Sequence, residues 1–202
     1  MSNNFKPLLL VVSAPSGAGK SSLCKRLMEK FPRMTYSISC TTRAPRGGEQ
    51  NGVHYHFLSE AEFTARIAAG EFLEHALVHG NRYGTLKKTV HDALAQGRDI
   101  IMDIDVQGAQ QIRRACAAMR ADDPIRQSFV DIFIAPPSTE ELRRRLCGRA
   151  TDSAEVIERR MRNAADEMKH QPHYQHTVIN DVFENAADEL AEIITREHHN
   201  RW

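Results

Sequence analysis

The sequence has few of the features that mark specialised classes of protein. Its four cysteines, Cys24, Cys40, Cys116 and Cys147, form no C-x-x-C pair, so nothing indicates a cysteine metal site or a disulfide framework, and reduced thiols are expected. The formal net charge is only +1, which gives no global attraction to nucleic acid or to membrane surfaces. No run approaches the roughly 20 apolar residues of a membrane span. We therefore expect a cytoplasmic protein whose partners are neither nucleic acid nor membrane.

The most informative segment is the glycine-rich stretch from Ala14 to Ser21, with the sequence A-P-S-G-A-G-K-S. It lies between an apolar run at residues 8–13 and a helical pattern at 20–31, and this order of strand, loop and helix is the setting of a phosphate-binding loop. Lys20 would reach the β- and γ-phosphates of a nucleotide, and the hydroxyl of Ser21 would ligate Mg²⁺. The alternative is a chance glycine-rich turn. Because alanine replaces the first glycine of the usual pattern, we expect Ala14 to have a negative φ.

Short apolar segments alternate with helical patterns through most of the chain. The intervening segments have apolar residues at helical spacing, which predicts an α/β fold with a parallel sheet covered by helices on both faces. The polar stretch 120–127 contains Pro124 and is predicted to be a surface loop. Buried strands of the main sheet are predicted at 8–13, 36–39, 99–104, 129–134 and 177–179.

Residues 39–85 depart from this pattern and are predicted to form a small mixed lobe inserted into the main sheet. Within it, Ser59 and Glu62 form a capping box for a short helix that Gly70 would end. Residues 72–79 alternate weakly between apolar and polar, as a strand does.

The lobe carries polar residues suited to a second substrate. Two arginines beside two tyrosines suit a phosphate group, and a lone carboxylate with neighbouring hydroxyls suits the edge of a base. An ordinary solvated surface is the alternative interpretation. The residues are Ser39, Arg43, Arg46, Glu49, Tyr55, Glu74, Tyr83 and Thr85.

Polar residues also follow two predicted strands of the main sheet. Asp103 and Asp105 follow one apolar strand, and Asn180 and Asp181 follow the last. In an open parallel sheet, ligands bind beyond the carboxyl ends of the strands. A carboxylate in this position beside a phosphate loop can orient Mg²⁺ or its water ligands, whereas the alternative is a carboxylate that only stabilises a helix N-terminus.

Seven arginines cluster between residues 143 and 162. Ser138 and Glu141 form a second capping box that opens the first of two helices here, and 148–153 is expected to be the loop between them. Two solvated helix faces are the plain alternative. However, arginine-bearing helices joined by a loop also suit a mobile lid over transferring phosphates, whose charge guanidinium groups stabilise. The residues favoured for this role are Arg145, Arg149 and Arg160.

Eight short motifs are spread along the chain. They are S-A-P-S-G-A-G-K-S-S (13–22), T-T-R-x-P-R-x-G-E (41–49), H-Y-H-F (54–57), F-L-E-H-A (72–76), G-N-x-Y-G-T (80–85), D-I-D-x-Q-G-A (103–109), R-R-L-x-G-R (144–149) and V-I-N-D (178–181). Their order and composition resemble the bacterial type of guanylate kinase over nearly the whole chain, and the second motif is the most specific.

The resemblance implies transfer of the γ-phosphoryl group of ATP to GMP, giving ADP and GDP, with Mg²⁺ as cofactor. It leaves open whether dGMP is also accepted and which oligomeric state forms. It further implies a five-stranded parallel-sheet core with a phosphate loop at 1–38, 86–138 and 166–202, a GMP-binding lobe at 39–85 and a helical lid at 139–165.

The resemblance also implies roles for individual residues. The catalytic residues would be Lys20, Arg145, Arg149 and Arg160. ATP would be bound by Ser16, Gly17, Ala18, Gly19, Lys20, Ser21, Ser22 and, near the adenine, Asn180. GMP would be bound by Ser39, Arg43, Arg46, Glu49, Tyr55, Glu74, Tyr83, Gly84, Thr85 and Asp103, with the arginines and tyrosines on the phosphate and Glu74 on the guanine. Mg²⁺ would be held by Ser21 and Asp105.

Two features depart from the family pattern. Residues 117–128 look longer than usual and are interpreted as a surface loop without function, and Arg82 stands where an aromatic residue is common. Two rival functions remain, a phosphate-loop kinase of a ribose phosphate and a non-catalytic guanylate-kinase-like binding module. The first should lack Glu74 and Ser39, and the second usually has a degraded phosphate loop, whereas Lys20 is intact here.

Overall fold

The computed structural model describes residues 6–148 and 153–201. A short 3₁₀ turn at Gln171–His173 precedes the last strand. In chain order the other elements are β1 (Leu9–Ser13), α1 (Lys20–Lys30), β2 (Met34–Tyr36), β3 (Cys40–Thr41), β4 (His56–Phe57), α2 (Glu60–Ala68), β5 (Phe72–Val78), β6 (Asn81–Leu86), α3 (Lys87–Ala95), β7 (Asp99–Asp103), α4 (Val106–Ala118), α5 (Pro124–Ser128), β8 (Phe129–Ala135), α6 (Thr139–Cys147), α7 (Ala154–Met168), β9 (His176–Ile179) and α8 (Phe183–Asn200).

The main sheet has five parallel strands in the order β2-β7-β1-β8-β9. The central strand β1 pairs with β7 on one side and β8 on the other, and all five of its residues are buried. A parallel strand covered on both faces buries every side chain, which is why its sequence is continuously apolar up to Ser13. The predicted α/β fold with a five-stranded parallel core is confirmed.

The two faces of this sheet build two separate hydrophobic cores. Because successive side chains of a strand point to opposite faces, Leu10 and Val12 pack with α1 and α8. Leu9 and Val11 pack instead with α3, α4 and α5. The sheet is thereby held rigidly between helices, and the carboxyl end of β1 leads straight into the glycine-rich loop and α1.

The segment around Pro124 corrects a prediction. A surface loop was expected at 120–127, but Pro124–Ser128 form helix α5. The Asp123 carboxylate accepts a hydrogen bond from the Ile125 N–H at 2.8 Å, and proline fits the first turn of a helix, where no N–H is needed. Ile125 is fully buried between α3 and α4. A single buried isoleucine among polar residues leaves no periodic pattern, so the sequence does not reveal it.

The inserted lobe has its own four-stranded sheet in the order β4-β3-β6-β5 and a small core of Cys40, Phe63 and Phe72. The predicted capping box is confirmed at α2, where Ser59 and Glu62 each accept a hydrogen bond from the other's backbone N–H. This box fixes the start of the helix that supplies Phe63 to the lobe core.

Strand β2 lies nearer the N-terminus than predicted. Strand β2 ends at Tyr36 instead of continuing to 39, although the Ser37 N–H still bonds the Ile101 carbonyl at 2.9 Å. Farther along, β5 and β6 approach closely at Gly84, where a Cβ would lie 2.8 Å from the Glu74 backbone oxygen. Glycine at this position lets the two strands carry Glu74 and Thr85 side by side.

Helices α6 and α7 pack on each other through a small cluster of Leu142, Leu146, Met161 and Ala164. The second predicted capping box is only half formed. Ser138 accepts from the Glu141 N–H at 3.1 Å, but the Glu141 carboxylate binds Arg144 and Arg145 instead of the cap. Among the described residues, no helix has both the length and the apolar character needed to cross a bilayer.

Candidate active site

The glycine-rich loop connects β1 to α1 at the carboxyl edge of the main sheet. Gly17 and Gly19 have φ values of +95° and +92°, a left-handed region that glycine adopts without strain. Ala14 is not among the residues with positive φ, so the expectation of a negative φ there is confirmed. The loop lines a cavity of about 390 Å³ together with Asp103, Asp105 and Glu167.

Lys20 is held at the edge of this cavity by two oxygen atoms. Its Nζ lies 2.7 Å from Asp103 Oδ1 and donates to the Ile104 carbonyl at 2.8 Å. The other Asp103 oxygen accepts from the Ser21 hydroxyl at 2.9 Å. These contacts follow from strand pairing, because β1 and β7 are neighbours and their carboxyl ends meet at the same edge.

Asp103 and Asp105 therefore have different surroundings. Asp103 contacts the phosphate loop, although the resemblance assigns it to guanine. Asp105 caps α4, where its Oδ1 accepts from the Gly108 N–H at 2.8 Å. Both carboxylates line the loop cavity, but only Asp103 bonds directly to Lys20 and Ser21.

The lobe brings together four of the residues predicted to bind a second phosphate. Arg43 makes a two-pronged ion pair with Glu49, at 2.9 and 3.0 Å, and its guanidinium lies 5.4 Å from the centre of the Tyr55 ring. Tyr55 in turn packs edge-on against Tyr83 at 6.0 Å. Hydrogen bonds from Arg43 lower the pKa of Glu49 to about 2, so the pair is charged at neutral pH. Arg46 joins through its backbone N–H, which donates to Glu49 at 2.7 Å, while its side chain is exposed.

Glu74 is a buried carboxyl group, with only 7% of the residue exposed. Burial raises its pKa to about 7, and the negative charge of Asp105 adds to the increase. Thr85 lies opposite it on β6, and the buried Thr85 side chain partly offsets the rise in the pKa of Glu74. Ser39 is half-buried, and its carbonyl accepts from the His56 N–H at 2.9 Å. Glu74 and Thr85 thus form a buried polar pair, and Thr85 is two residues from Tyr83 on β6.

One of the three favoured arginines contacts the phosphate loop, and a second contacts the segment that follows β9. Arg160 donates to the Ser16 hydroxyl at 2.7 Å. Arg145 binds Glu141 and donates to the backbone carbonyls of Asn180 and Asp181 at 2.9 and 3.3 Å. The third arginine, Arg149, lies outside the described residues.

Two residues near the loop were missed by sequence reasoning. Glu167 accepts from the Ser16 N–H at 3.4 Å, and burial raises the pKa of its carboxyl group. The sequence does contain an indication of Glu167. It follows Arg160 by seven residues, and this spacing places both side chains on one face of α7. Tyr36 ends β2, and the pKa of its hydroxyl is raised by partial burial and by the charge of Asp103.

Comparison with known proteins agrees with this arrangement. The guanylate kinase family model matches residues 6–197. A guanylate kinase of Chromohalobacter salexigens is 50% identical over 92% of this chain and 82% of its own length, and one of Dechloromonas aromatica is 50% identical over 92% and 87%. The crystal structure of guanylate kinase from Anaplasma phagocytophilum superposes with a TM-score of 0.69 at 33% identity, covering 96% of this chain and 88% of that one. The chain therefore belongs to the guanylate kinase family.

Proposed function

We propose that this enzyme transfers the γ-phosphoryl group of ATP to GMP, forming ADP and GDP. The observation that carries the proposal is the buried carboxyl group of Glu74, which lies in the same lobe as the Arg43–Glu49 ion pair. A phosphate loop alone would serve many nucleotides. A buried acceptor beside a cationic site suits a nucleoside monophosphate whose base presents two donors, as guanine does.

A coupled assay of ADP formation tests the proposal directly. GMP, AMP, CMP and UMP would be supplied in turn with Mg·ATP under identical conditions. We expect turnover with GMP far above that with the other three. Comparable rates with AMP, or no ADP formation with GMP, would contradict the proposal.

On the ATP side, the loop N–H groups and Lys20 are proposed to bind the β- and γ-phosphates. Lys20 is pre-positioned by Asp103 and by the Ile104 carbonyl, so it needs little reorganisation when a phosphate arrives. The N-terminus of α1 points its free N–H groups at the same place.

Ser21 and Asp103 are proposed to hold Mg²⁺, which when bound neutralises charge on the phosphates. The two side chains are joined by a hydrogen bond of 2.9 Å and supply the oxygen ligands that Mg²⁺ prefers. Asp105, the carboxylate first assigned to the metal, keeps one oxygen on the cap of α4. Among the described residues no group of three or more His, Cys, Asp and Glu could hold a metal, and Mg²⁺ in such sites takes most ligands from phosphates and water.

On the GMP side, Arg43, Tyr55 and Tyr83 are proposed to hold the phosphate, with Arg46 reaching it from the exposed turn. Glu49 orients Arg43 and is thus a positioning residue in this proposal. Glu74 is proposed to accept the two donors of the guanine edge, with the buried Thr85 hydroxyl beside it.

Phosphoryl transfer needs in-line positioning and cationic stabilisation more than it needs a base. We propose that the lobe and the lid close over the substrates, because water left in the site would hydrolyse ATP. Arg160 already contacts the loop at Ser16 and is placed to stabilise the moving phosphoryl group. Arg145 would have to leave its two carbonyl partners before it could contact the phosphates. Arg149 stays a predicted lid arginine.

Arg160→Ala should lower kcat by about 10²–10³-fold, the usual effect of removing one electrostatic donor to the transition state. The KM for GMP should change much less, because the contact with transferring charge strengthens in the transition state. Steady-state kinetics with both substrates varied measure this. Arg162→Ala, an exposed arginine on the same helix, is the matched control. A raised KM with unchanged kcat would reassign Arg160 to ground-state binding.

GMP should bind more tightly as the pH rises through about 7. Only the ionised Glu74 accepts both guanine donors, and in the empty site its pKa is raised to about 7. Below that pH, GMP binding must remove the proton from Glu74, which weakens binding. Above it, Glu74 is already ionised and no proton is released. Calorimetric titration with GMP in buffers of different ionisation heat measures the released proton. In Glu74→Gln no proton can be released from residue 74. The remaining pH dependence of binding should come from the GMP phosphate, whose pKa is about 6. A wild-type affinity that follows the variant's pH profile would refute this assignment.

A further inference from the structure

We propose that Asn180 is a positioning residue for the phosphate loop, and that its side-chain amide sets the direction in which the Gly19 N–H points. The inference rests on the proposed function, because it concerns how the same loop binds the triphosphate. The family resemblance places Asn180 near the adenine. In the structure its side-chain amide contacts the phosphate loop from the residue that follows β9.

The contact with the loop is short and buried. Asn180 Nδ2 lies 2.7 Å from the Ala18 carbonyl oxygen, and the residue is only 5% exposed. A carbonyl oxygen can only accept, so the amide nitrogen must be the atom that faces it. A Cβ at Gly19 would lie 2.3 Å from the same nitrogen, so the amide fits against the loop only because residue 19 is glycine.

This bond controls an N–H on the other side of the same peptide unit. The peptide group is planar, and the described residues contain no cis peptide bond, so the Ala18 C=O and the Gly19 N–H point in opposite directions. Holding the carbonyl on Asn180 turns the N–H away from it, towards the cavity that Gly19 lines. Within the described chain, the Gly19 N–H has no protein acceptor. It is therefore a donor left for a phosphate oxygen.

Asn180 is itself fixed by two backbone bonds. Its N–H donates to the Ala135 carbonyl of β8 at 2.8 Å, and its carbonyl accepts from Arg145 of α6 at 2.9 Å. The bond to Ala135 ties Asn180 to the main sheet, so its side-chain amide holds the loop from the sheet even if Arg145 leaves. One residue joins the sheet, the phosphate loop and a lid arginine.

Asn180→Ala should weaken binding of Mg·ATP by roughly ten- to a hundredfold, the range for one hydrogen bond to a charged group. Asn180→Asp keeps the side-chain volume but sets an oxygen against the Ala18 carbonyl, so it should weaken binding at least as much. The affinity for GMP, measured by calorimetry, should be unchanged in both variants. Asn185→Ala, an exposed asparagine on α8, is the matched control.

Two further ligands separate this role from contact with adenine. Tripolyphosphate carries the phosphates without a nucleoside, and CTP carries them with a pyrimidine. If Asn180 orients the loop, the inhibition constants of both should rise by the same factor as the Kd for ATP. A loss confined to ATP would overturn the inference in favour of adenine contact, and no loss with any of the three would overturn it outright. In either case, phosphorylation of GMP by the wild-type enzyme would support the proposed function independently of the role of Asn180.

A measurement on the wild type keeps the inference testable if the variants do not fold. In ¹⁵N-labelled protein, tripolyphosphate should shift the Gly19 amide signal downfield, as expected for a new bond to an anion. The Asn180 side-chain NH₂ signals should stay protected from exchange and should respond alike to tripolyphosphate and to Mg·ATP. A shift of the Asn180 NH₂ signals with ATP alone, or an unmoved Gly19 amide, would refute it.

Discussion

Replacing Lys20 by methionine should lower kcat for phosphoryl transfer at least about 10²–10³-fold while the fold stays intact. The substitution retains most of the side-chain length but removes the positive charge that is proposed to bind the β- and γ-phosphates. Asp103 would also lose its ion pair with Lys20 at 2.7 Å, which leaves one cation fewer beside the incoming phosphates. Both effects raise the free energy of the transition state, so the estimate is a lower bound.

Initial rates with saturating GMP and varied Mg·ATP measure the effect of Lys20→Met. Lys25→Met removes an exposed lysine of the same helix and is the control for loss of charge. Thermal unfolding of both variants checks that the fold is retained. If Lys20→Met keeps more than about a tenth of the wild-type rate, well above what loss of an electrostatic donor allows, the loop is not catalytic.

The preference for GMP over AMP should depend on Glu74. Guanine presents N1–H and a 2-amino group to an ionised carboxylate, whereas adenine offers an unprotonated N1 and no 2-amino group. Because Glu74 is buried, its lone pairs would stay unpaired opposite adenine, and sites of this kind reject the wrong ligand by roughly 10⁴–10⁵. Glu74→Ala should therefore cut kcat/KM for GMP steeply and leave the low value for AMP nearly unchanged.

The measurement compares kcat/KM for GMP and AMP in wild type and variant under identical Mg·ATP. Glu71→Ala removes an exposed carboxylate just before the same strand and should leave the ratio as it is. If the ratio survives Glu74→Ala within a factor of about three, less than 1 kcal/mol at 1.4 kcal/mol per tenfold, Glu74 is not the discriminator. Ser39 and Thr85 would then be the next candidates for base selection.

The sequence by itself determined the features that are local in the chain. The phosphate loop is contiguous, so its glycines, Lys20 and the flanking strand and helix could be recognised together. The capping box at α2 and the continuously apolar β1 are local for the same reason, since caps and strand patterns involve residues a few positions apart. Motifs spread along the chain also identified the family.

Only the tertiary structure decided which of two similar residues does what. Asp103 and Asp105 are equivalent in the sequence, but β7 pairs with β1 and ends at Asp103, while α4 begins just after Asp105. One carboxylate therefore meets Lys20, and the other is used as a helix cap.

Burial and long-range contacts likewise could not be predicted from the sequence. The burial of Glu74 and Ile125 depends on elements distant in sequence, and so does the bond from Asn180 to Ala18, 162 residues away. The spacing of apolar residues in the sequence shows only which face of its own helix or strand a residue occupies. Strand order and helix packing decide which distant atoms share its surroundings, and these surroundings set the pKa of Glu74 and place Asn180 against the Ala18 carbonyl.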